Sequence, residues 1–179
     1  PSVRPLLPDG VADLGYANSV KWAADTGADR YRRGLYIFFQ RTVPYPMLMN
    51  FDCPDSNTTA IARGRSNTPL QALNRLNDPV LFECAQALGK RALAMPFESD
   101  RGRVEFIFRT CLGRKPMAAE LDRIEEFLAE QRAAFAEGGQ LAANFAGGLQ
   151  PDDPTACDAA AHVAVARVVM NLNEFVTRE

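Results

Sequence analysis

The 179-residue sequence has little histidine and few cysteines, and neither type is grouped as a metal site would require. His162 is the only histidine, and Cys53, Cys84, Cys111 and Cys157 lie far apart without a CxxC pair. Transition-metal sites usually recruit several such ligands, and covalent haem needs a CxxCH motif. We therefore expect no metal and no cofactor. We expect the cysteines to be small buried apolar residues, because unpaired cysteine is among the most buried residue types.

Several common signatures are also missing. The sequence has no GxSxG, P-loop, GxGxxG or HExxH motif, which removes the familiar signatures of hydrolases, nucleotide binders and zinc proteases. No run approaches the roughly 20 apolar residues that cross a bilayer, so we expect no membrane insertion. The chain starts at Pro1 without a signal-peptide pattern, which indicates a piece of a longer protein.

Charge is unevenly distributed, although the formal net charge is only -2. Residues 30–75 hold seven arginines, no lysine and two acids, Asp52 and Asp55, so this segment carries +5. The remaining residues carry thirteen basic and twenty acidic side chains, or -7. Arginine without lysine favours bidentate pairing with carboxylate or phosphate. A pI near 5.5 is not typical of a nucleic-acid-binding domain, so we do not expect a nucleic-acid partner.

Capping residues and hydrophobic periodicity predict a mainly α fold, a compact bundle of five to six helices. Thr68-Pro69 and Asp78-Pro79 each place a capping side chain before a proline at the first helical position. They predict helices from 69 to about 76 and from 79 to about 95. Further helices are predicted at 99–113, 117–135 and 156–176, with a helical turn at 141–145. The last helix is apolar on nearly all sides, so we expect it at the centre of the bundle.

The N-terminal third predicts less regular structure. Residues 1–30 are rich in proline and glycine and predict an extended lead-in, with a helical turn near 17–24. Residues 35–39, LYIFF, and residues 58–65 predict a small two-stranded β element. Three prolines predict an irregular proline-rich loop between them. The expected organisation is this lead-in followed by one helical domain over residues 31–179.

The arginine-rich segment supplies the candidate ligand-binding residues: Arg33, Arg41, Asp52, Asp55, Arg63, Arg65, Asn67 and Thr68. Guanidinium groups and helix N-termini bind anions. The structural alternative is that the arginines pair with the two acids and with carbonyls to brace a loop, while Asn67 and Thr68 cap helices. The residues favour this alternative, with Arg33 and Arg41 as the clamps.

No catalytic residue is assigned. Asp52 and Asp55 support the alternative of a polysaccharide-acting hydrolase, because glycosidases use two carboxyl groups at a set separation. Cys53 lies between them without a nearby histidine to activate it. His162 lies among alanine and valine on the last predicted helix and is expected to be a core histidine. The leading interpretation is a non-catalytic binding or scaffolding module.

Four motifs follow one another along the chain: DRYRRGLYIFFQRTVPYPMLMNFDCPDSN, RSNTPLQALNRLNDPVLFECAQALGKR, FRTCLGRKPMAAEL and MNLNEFVTRE. With them the chain resembles the C-terminal domain of unknown function of large planctomycete-type proteins, where it follows a cytochrome-c-like region. The resemblance implies an exported bacterial multidomain parent at the periplasm or cell surface, associated with degradation of sulfated polysaccharides. It implies the parent's other domains and anionic glycan as partners.

The resemblance also implies recurring positions, most of which are the caps and loop residues above. They are Arg33, Arg41, Asp52, Asp55, Asn67, Thr68, Pro69, Gln71, Asn77, Asp78, Asn171, Asn173 and Glu174. The haem motif of the parent's other region is absent from this chain, so no haem is implied here. An aromatic residue is expected where His162 stands.

Overall fold

The computed structural model describes residues 2–14, 21–54 and 57–177. These ranges are mainly helical, which confirms the predicted class, but they contain eight α-helices instead of the predicted five to six, because one short helix forms inside the predicted loop and another follows the last long helix. None of these helices has the length and apolar character to cross a membrane. The Cα atoms form two compact units, Pro1–Asn74 and Arg75–Glu179. The predicted extent of one domain over residues 31–179 stays a prediction.

The first unit contains little regular structure. Helix α1, Pro46–Asn50, is a short helix inside the predicted proline-rich loop, with proline in its first turn. Helix α2, Pro69–Asn77, begins in this unit. Short 3-10 turns occupy Ala12–Leu14, Gly27–Tyr31 and Gly34–Tyr36. The turn predicted near 17–24 lies mostly outside the described residues, and residues 21–24 are not helical.

The predicted two-stranded β element is wrong. Ile37 forms only an isolated parallel bridge, and its partner is Val3. The Val3 N–H donates to the Tyr36 carbonyl at 2.8 Å, and the Phe38 N–H donates to the Val3 carbonyl at 2.7 Å. Described residues 57–65 are exposed and form no strand. The LYIFF segment has no buried sheet face, since Leu35 is 82% exposed.

Aromatic packing organises the first unit in place of a sheet. The Trp22 ring stacks on Tyr45 with centroids 6.4 Å apart and lies 6.1 Å from Phe38. Its indole N–H donates to the Pro5 carbonyl at 2.7 Å. The Arg4 guanidinium lies 4.4 Å from the Phe38 ring centre. These contacts hold the N-terminal segment against the segment that precedes α1.

One enclosed helix organises the second unit. This unit contains α3, Pro79–Ala94, α4, Asp100–Leu112, α5, Ala118–Ala136, α6, Gly139–Phe145, and α7, Ala156–Met170. Helices α3 to α6 all contact α7, and eleven of its fifteen residues are buried. This confirms the predicted central position. The last helix was predicted too long, because α7 ends at Met170 and a separate short helix, α8, spans Asn173–Val176.

The helix boundaries follow the predicted capping residues. The Asp78 carboxylate accepts a hydrogen bond from the Leu81 N–H at 2.8 Å at the start of α3. The Ser99 side chain caps α4 in the same way. Gly113 ends α4 with a left-handed φ of 74°, which glycine adopts without a Cβ clash. Local side-chain chemistry therefore sets these boundaries.

Arg114 joins three helices of the second unit. Its guanidinium makes paired hydrogen bonds to Glu120 at 2.7 and 2.8 Å and to Glu174 at 2.6 and 2.8 Å. It also lies 4.8 Å from the ring centre of Phe108. Hydrogen bonding to Arg114 lowers the pKa of Glu120 to about 2. The contact between Arg114 and Glu174 thus joins the third and fourth sequence motifs across 60 residues.

The four cysteines are free thiols, and each is partly buried rather than fully buried. Cys84 and Cys111 pack against the core around α7. Burial raises the pKa of Cys111 to about 11. The Cys157 thiol donates to the Phe135 carbonyl at 3.4 Å. Cys84, Cys111 and Cys157 therefore serve as packing residues.

Gly89 allows α3 and α7 to approach closely, and its replacement tests this packing. An added Cβ would lie 2.8 Å from the Val163 backbone nitrogen and 2.9 Å from its Cγ2. The helix backbone cannot move aside as a flexible side chain can. We therefore expect Gly89→Ala to lower the free energy of unfolding by about 1–3 kcal/mol, although alanine favours helix more than glycine does.

Urea unfolding followed by circular dichroism measures this loss. Gly64→Ala is the control, because a Cβ at Gly64 meets no heavy atom within 4 Å. A Gly89→Ala protein as stable as the unsubstituted chain would contradict the close helix contact.

Candidate functional site

The candidate residues surround the loop between α1 and α2. Asp52 is the second residue after the end of α1 and adopts a left-handed φ of 56°. Its carboxylate accepts hydrogen bonds from the Ser66 backbone N–H and hydroxyl, both at 2.8 Å. This contact closes the chain across 14 residues. Asp55, the other predicted carboxylate, lies outside the described residues.

Gln71 holds the loop from the α2 side. Its side chain is only 4% exposed. The side-chain amide donates to the Asn50 carbonyl and to the Ser66 hydroxyl oxygen, each at 2.8 Å. Its carbonyl oxygen accepts from the Thr68 N–H at 3.2 Å, while the Thr68 hydroxyl oxygen accepts from the Gln71 N–H at 3.3 Å. The pair is a capping box.

Ser66 was not among the predicted site residues, and Gln71 was named only as a recurring position implied by the resemblance. The T-x-x-Q spacing of a capping box was the available signal for Gln71. No local pattern marked Ser66, because its partner Asp52 lies 14 residues earlier. The structure therefore brings Asp52 and Thr68 together through two residues that the sequence did not single out as a site.

Arg63 is the arginine that braces the loop backbone. Its guanidinium donates to the carbonyls of Phe51 and Asp52, the latter at 3.0 Å from Nε. Arg41 donates to the Asn57 side-chain oxygen at 3.2 Å. Arg33 lies 5.9 Å from the Tyr36 ring centre. The clamp on the loop carbonyls is thus made by Arg63 rather than by Arg33 and Arg41.

The remaining candidates are surface residues. Arg65 and Asn67 are exposed and make no hydrogen bond to the part of the chain that the structure describes. Thr68 is occupied as the cap of α2. The candidate set therefore divides into an internal lock around Asp52 and an exposed group of arginines.

In each unit some arginines pair with a carboxylate and others do not. In the second unit, five arginines lie within ion-pair distance of a carboxylate: Arg101, Arg103, Arg109, Arg114 and Arg132. In the first unit, Arg32 pairs with Asp29 at 2.8 Å. Across residues 21–54 and 57–74, no carboxylate pairs with the exposed arginines Arg33, Arg41, Arg63 and Arg65. These four guanidinium groups therefore have no ion-pair partner among the described residues.

His162 is a fully buried side chain on α7, as expected of a core histidine. Its Nδ1–H donates to the Asp158 carbonyl at 2.8 Å. Its Nε2 has no hydrogen-bond partner among the described residues and lies 3.9 Å from an Asp100 carboxylate oxygen. Arg132 bridges the carboxylates of Asp100 and Asp158, and Arg103 also pairs with Asp100. Burial is the main cause that lowers the pKa of His162, so the ring is neutral.

No group of three or more histidine, cysteine or acidic side chains within the described ranges is placed to hold a metal ion. The ionisable cluster around His162 consists of arginines and aspartates that neutralise one another. Its arrangement is that of an internal polar network between α4, α5 and α7.

A family model described as "PSD1: Protein of unknown function (DUF1553)" matches residues 1–128, which is more than half of the chain. The matched region includes the Asp52 loop, α2 to α4 and part of α5. No curated protein and no solved structure matches the chain. The match confirms the predicted resemblance to a domain of unknown function. The planctomycete-type and cytochrome-c-like setting and the exported location stay predictions.

Replacing Asp52 tests the loop lock. Asp52→Ala removes the acceptor of both Ser66 hydrogen bonds and places alanine in a left-handed conformation. We expect a loss of about 1–3 kcal/mol in the free energy of unfolding, together with faster exchange of the Ser66 amide hydrogen. Urea unfolding and hydrogen exchange measure the two effects.

Asp52→Asn is the matched control, because asparagine tolerates the left-handed region and keeps an acceptor oxygen. Its loss should be smaller. If Asp52→Ala retains full stability and slow exchange at Ser66, the lock does not hold the loop.

The buried neutral imidazole of His162 predicts that stability depends on pH. In the unfolded chain the histidine pKa is near 6.5, and burial lowers it in the folded chain. Below about pH 6.5 the unfolded state therefore binds a proton that the folded state excludes. The stabilisation is complete above that pH and is lost as the pH falls toward the folded pKa.

We expect the free energy of unfolding to fall below pH 6.5 by up to about 1.4 kcal/mol per pH unit from this group. Urea unfolding at a series of pH values from 8 to about 5 measures the slope. His162→Phe removes the titrating ring, so its slope should be shallower. An equal slope in both proteins would assign the pH dependence to other groups.

Proposed function

We propose that this chain, which belongs to the PSD1 family of proteins of unknown function (DUF1553), is a non-catalytic binding module for an anionic partner. The contact surface is formed by Arg33, Arg41, Arg63 and Arg65, which we call the arginine surface. Its partner group is a carboxylate or a sulfate. Such groups are offered by an anionic polysaccharide or by an acidic neighbouring domain of a larger parent protein. The exported, cell-surface setting implied by the resemblance is part of the same proposal.

The observation that carries the proposal is the pairing of the arginines. The four arginines are exposed and meet no carboxylate among the described residues, whereas in the second unit five arginines meet one and the exposed Arg91 and Arg123 do not. A guanidinium fork matches the geometry of carboxylate and sulfate oxygens. An anionic group of another molecule would supply the ion-pair partner that these guanidinium groups do not have.

The loop also orders one of these arginines in advance. Arg63 uses Nε and one terminal nitrogen on the carbonyls of Asp52 and Phe51. Its other terminal nitrogen, Nη1, makes no hydrogen bond to the described residues. Fixing a side chain before binding reduces the entropy that binding must remove. The lock formed by Asp52, Ser66 and Gln71 keeps the supporting backbone in place.

The hydrolase alternative gains no support from the described residues. Asp52 uses its carboxylate on Ser66, and Asp55 lies outside the described residues.

The double variant Arg63→Gln/Arg65→Gln tests the arginine surface. Calorimetric titration uses dextran sulfate as a sulfated polysaccharide, unsulfated dextran as its neutral counterpart, and polyglutamate as a carboxylate-bearing polypeptide. We expect the unsubstituted protein to bind at least one anionic polymer and to bind dextran weakly or not at all. The variant should bind that polymer about tenfold less tightly, equivalent to about 1.4 kcal/mol.

Arg101→Gln/Arg109→Gln is the matched control, because both arginines are exposed but already paired with carboxylates in the second unit. It should bind as the unsubstituted protein does. Binding to neither anionic polymer, or equal losses in both double variants, would remove the proposed surface. A preference for dextran sulfate over polyglutamate would identify the glycan as the source of the anion.

A further inference from the structure

Helix α4 has an open groove on the side opposite to its buried residues. The groove has a volume of about 490 Å³, which lies within the range of small-molecule sites, about 300–1,000 Å³. Its lining includes Phe97 and the α4 residues Gly102, Glu105, Phe106, Arg109 and Thr110. The α4 residues are spaced three and four apart, so they share one face of the helix. All of them belong to the second unit.

Two phenylalanine rings form an apolar wall of this groove. The ring centres of Phe97 and Phe106 lie 5.8 Å apart with an interplanar angle of 45°. A Cβ at Gly102 would lie only 3.2 Å from Cδ1 of Phe97, so the missing side chain lets this ring lie close against α4. Both phenylalanines are only partly buried, so they keep ring surface that a flat apolar group can cover.

Positive charge lies beside the same wall. The guanidinium of Arg91, on α3, lies 5.3 Å from the ring centre of Phe106. Arg91 is exposed and pairs with no carboxylate among the described residues. Arg109 and Glu105 lie 3.7 Å apart as an ion pair and offset each other. The three side chains therefore carry one net positive charge, +2 from the arginines and -1 from Glu105, and Arg91 is its source.

We propose that this groove binds a small organic anion in which one carboxylate is joined to a flat apolar group. The apolar group packs against Phe97 and Phe106, and the carboxylate pairs with Arg91, whose planar guanidinium matches carboxylate geometry. This inference goes beyond the proposed function, because the groove belongs to the second unit and the arginine surface to the first.

The charge of the groove selects this occupant. A neutral apolar molecule would cover the rings but leave Arg91 without a counter-charge. A cation would approach Arg91 with the same sign of charge, while the carboxylate of Glu105 is already paired with Arg109. A single negative charge matches the net charge of the three side chains.

Amide chemical-shift titration of the full chain with naphthoate tests the site. Naphthylmethanol and naphthylmethylammonium carry the same ring system with no charge and with a positive charge. We expect naphthoate to bind with a Kd of about 1 mM and to shift the amide signals of Gly102 and Thr110 most strongly. Naphthylmethanol should bind about fivefold more weakly, and naphthylmethylammonium more weakly still. Equal affinity for the three compounds, or no shift at these two amides, would overturn the proposal.

Arg91→Gln tests the carboxylate contact. It should lower the affinity for naphthoate about fivefold, to that of naphthylmethanol, and leave naphthylmethanol binding unchanged. Arg123→Gln is the matched control, because Arg123 is an exposed arginine of α5 that also pairs with no described carboxylate and does not line the groove. An Arg91→Gln protein that binds naphthoate as tightly as the Arg123→Gln protein would contradict the pairing.

Thr110→Trp tests the location by steric exclusion. Thr110 is exposed on α4 and lines the groove, so a larger side chain there occupies its volume without entering the apolar core. We expect loss of naphthoate binding, with the helical circular dichroism unchanged. Unchanged affinity in this variant would place the ligand outside the groove and overturn the proposal.

Discussion

The buried side-chain amide of Gln71 determines how α2 is oriented. It must find hydrogen-bond partners in the interior, and it finds the Asn50 carbonyl and the Ser66 hydroxyl. Leu70 and Leu73 of the same helix are exposed, and turning the helix to bury them would gain about 1.5–3 kcal/mol for each of the two leucines. The same rotation would leave the amide, the carbonyl and the hydroxyl without these partners, at about 1–3 kcal/mol each. The polar requirement is at least as large, so the leucines remain outside.

Much of the helical architecture was predictable because it depends on local chemistry. Asp78 caps α3 and Gly113 ends α4 through contacts within a few residues. The continuous apolar character of α7 was sufficient to predict its central position. The β element failed because the partner of Ile37 is Val3, and no local pattern specifies a contact over such a separation. Five aromatic and branched residues do not distinguish a strand from an exposed turn.

The candidate site was predictable in composition but not in geometry. The excess of arginine was visible in the sequence. In the structure, Arg63 and Arg41 donate hydrogen bonds to neutral oxygen atoms and not to carboxylates. Which arginine would brace the loop was not visible, since the carbonyls that Arg63 reaches are oriented by the left-handed turn at Asp52. Ser66 was not predicted as a site residue, because its contact with Asp52 also depends on the path of this loop. Contacts that depend on the backbone path of a loop can be identified only when the structure of that loop is known.

The position of α7 bears on which part of the sequence is a self-sufficient folding unit. The family match ends at residue 128, inside α5, whereas α7 begins at Ala156. Val104, Ile107 and Leu128 from the matched region share one apolar cluster with residues of α7. A polypeptide that stopped at the end of the match would leave these side chains facing water. The apolar core of the second unit therefore needs residues that lie beyond the matched region.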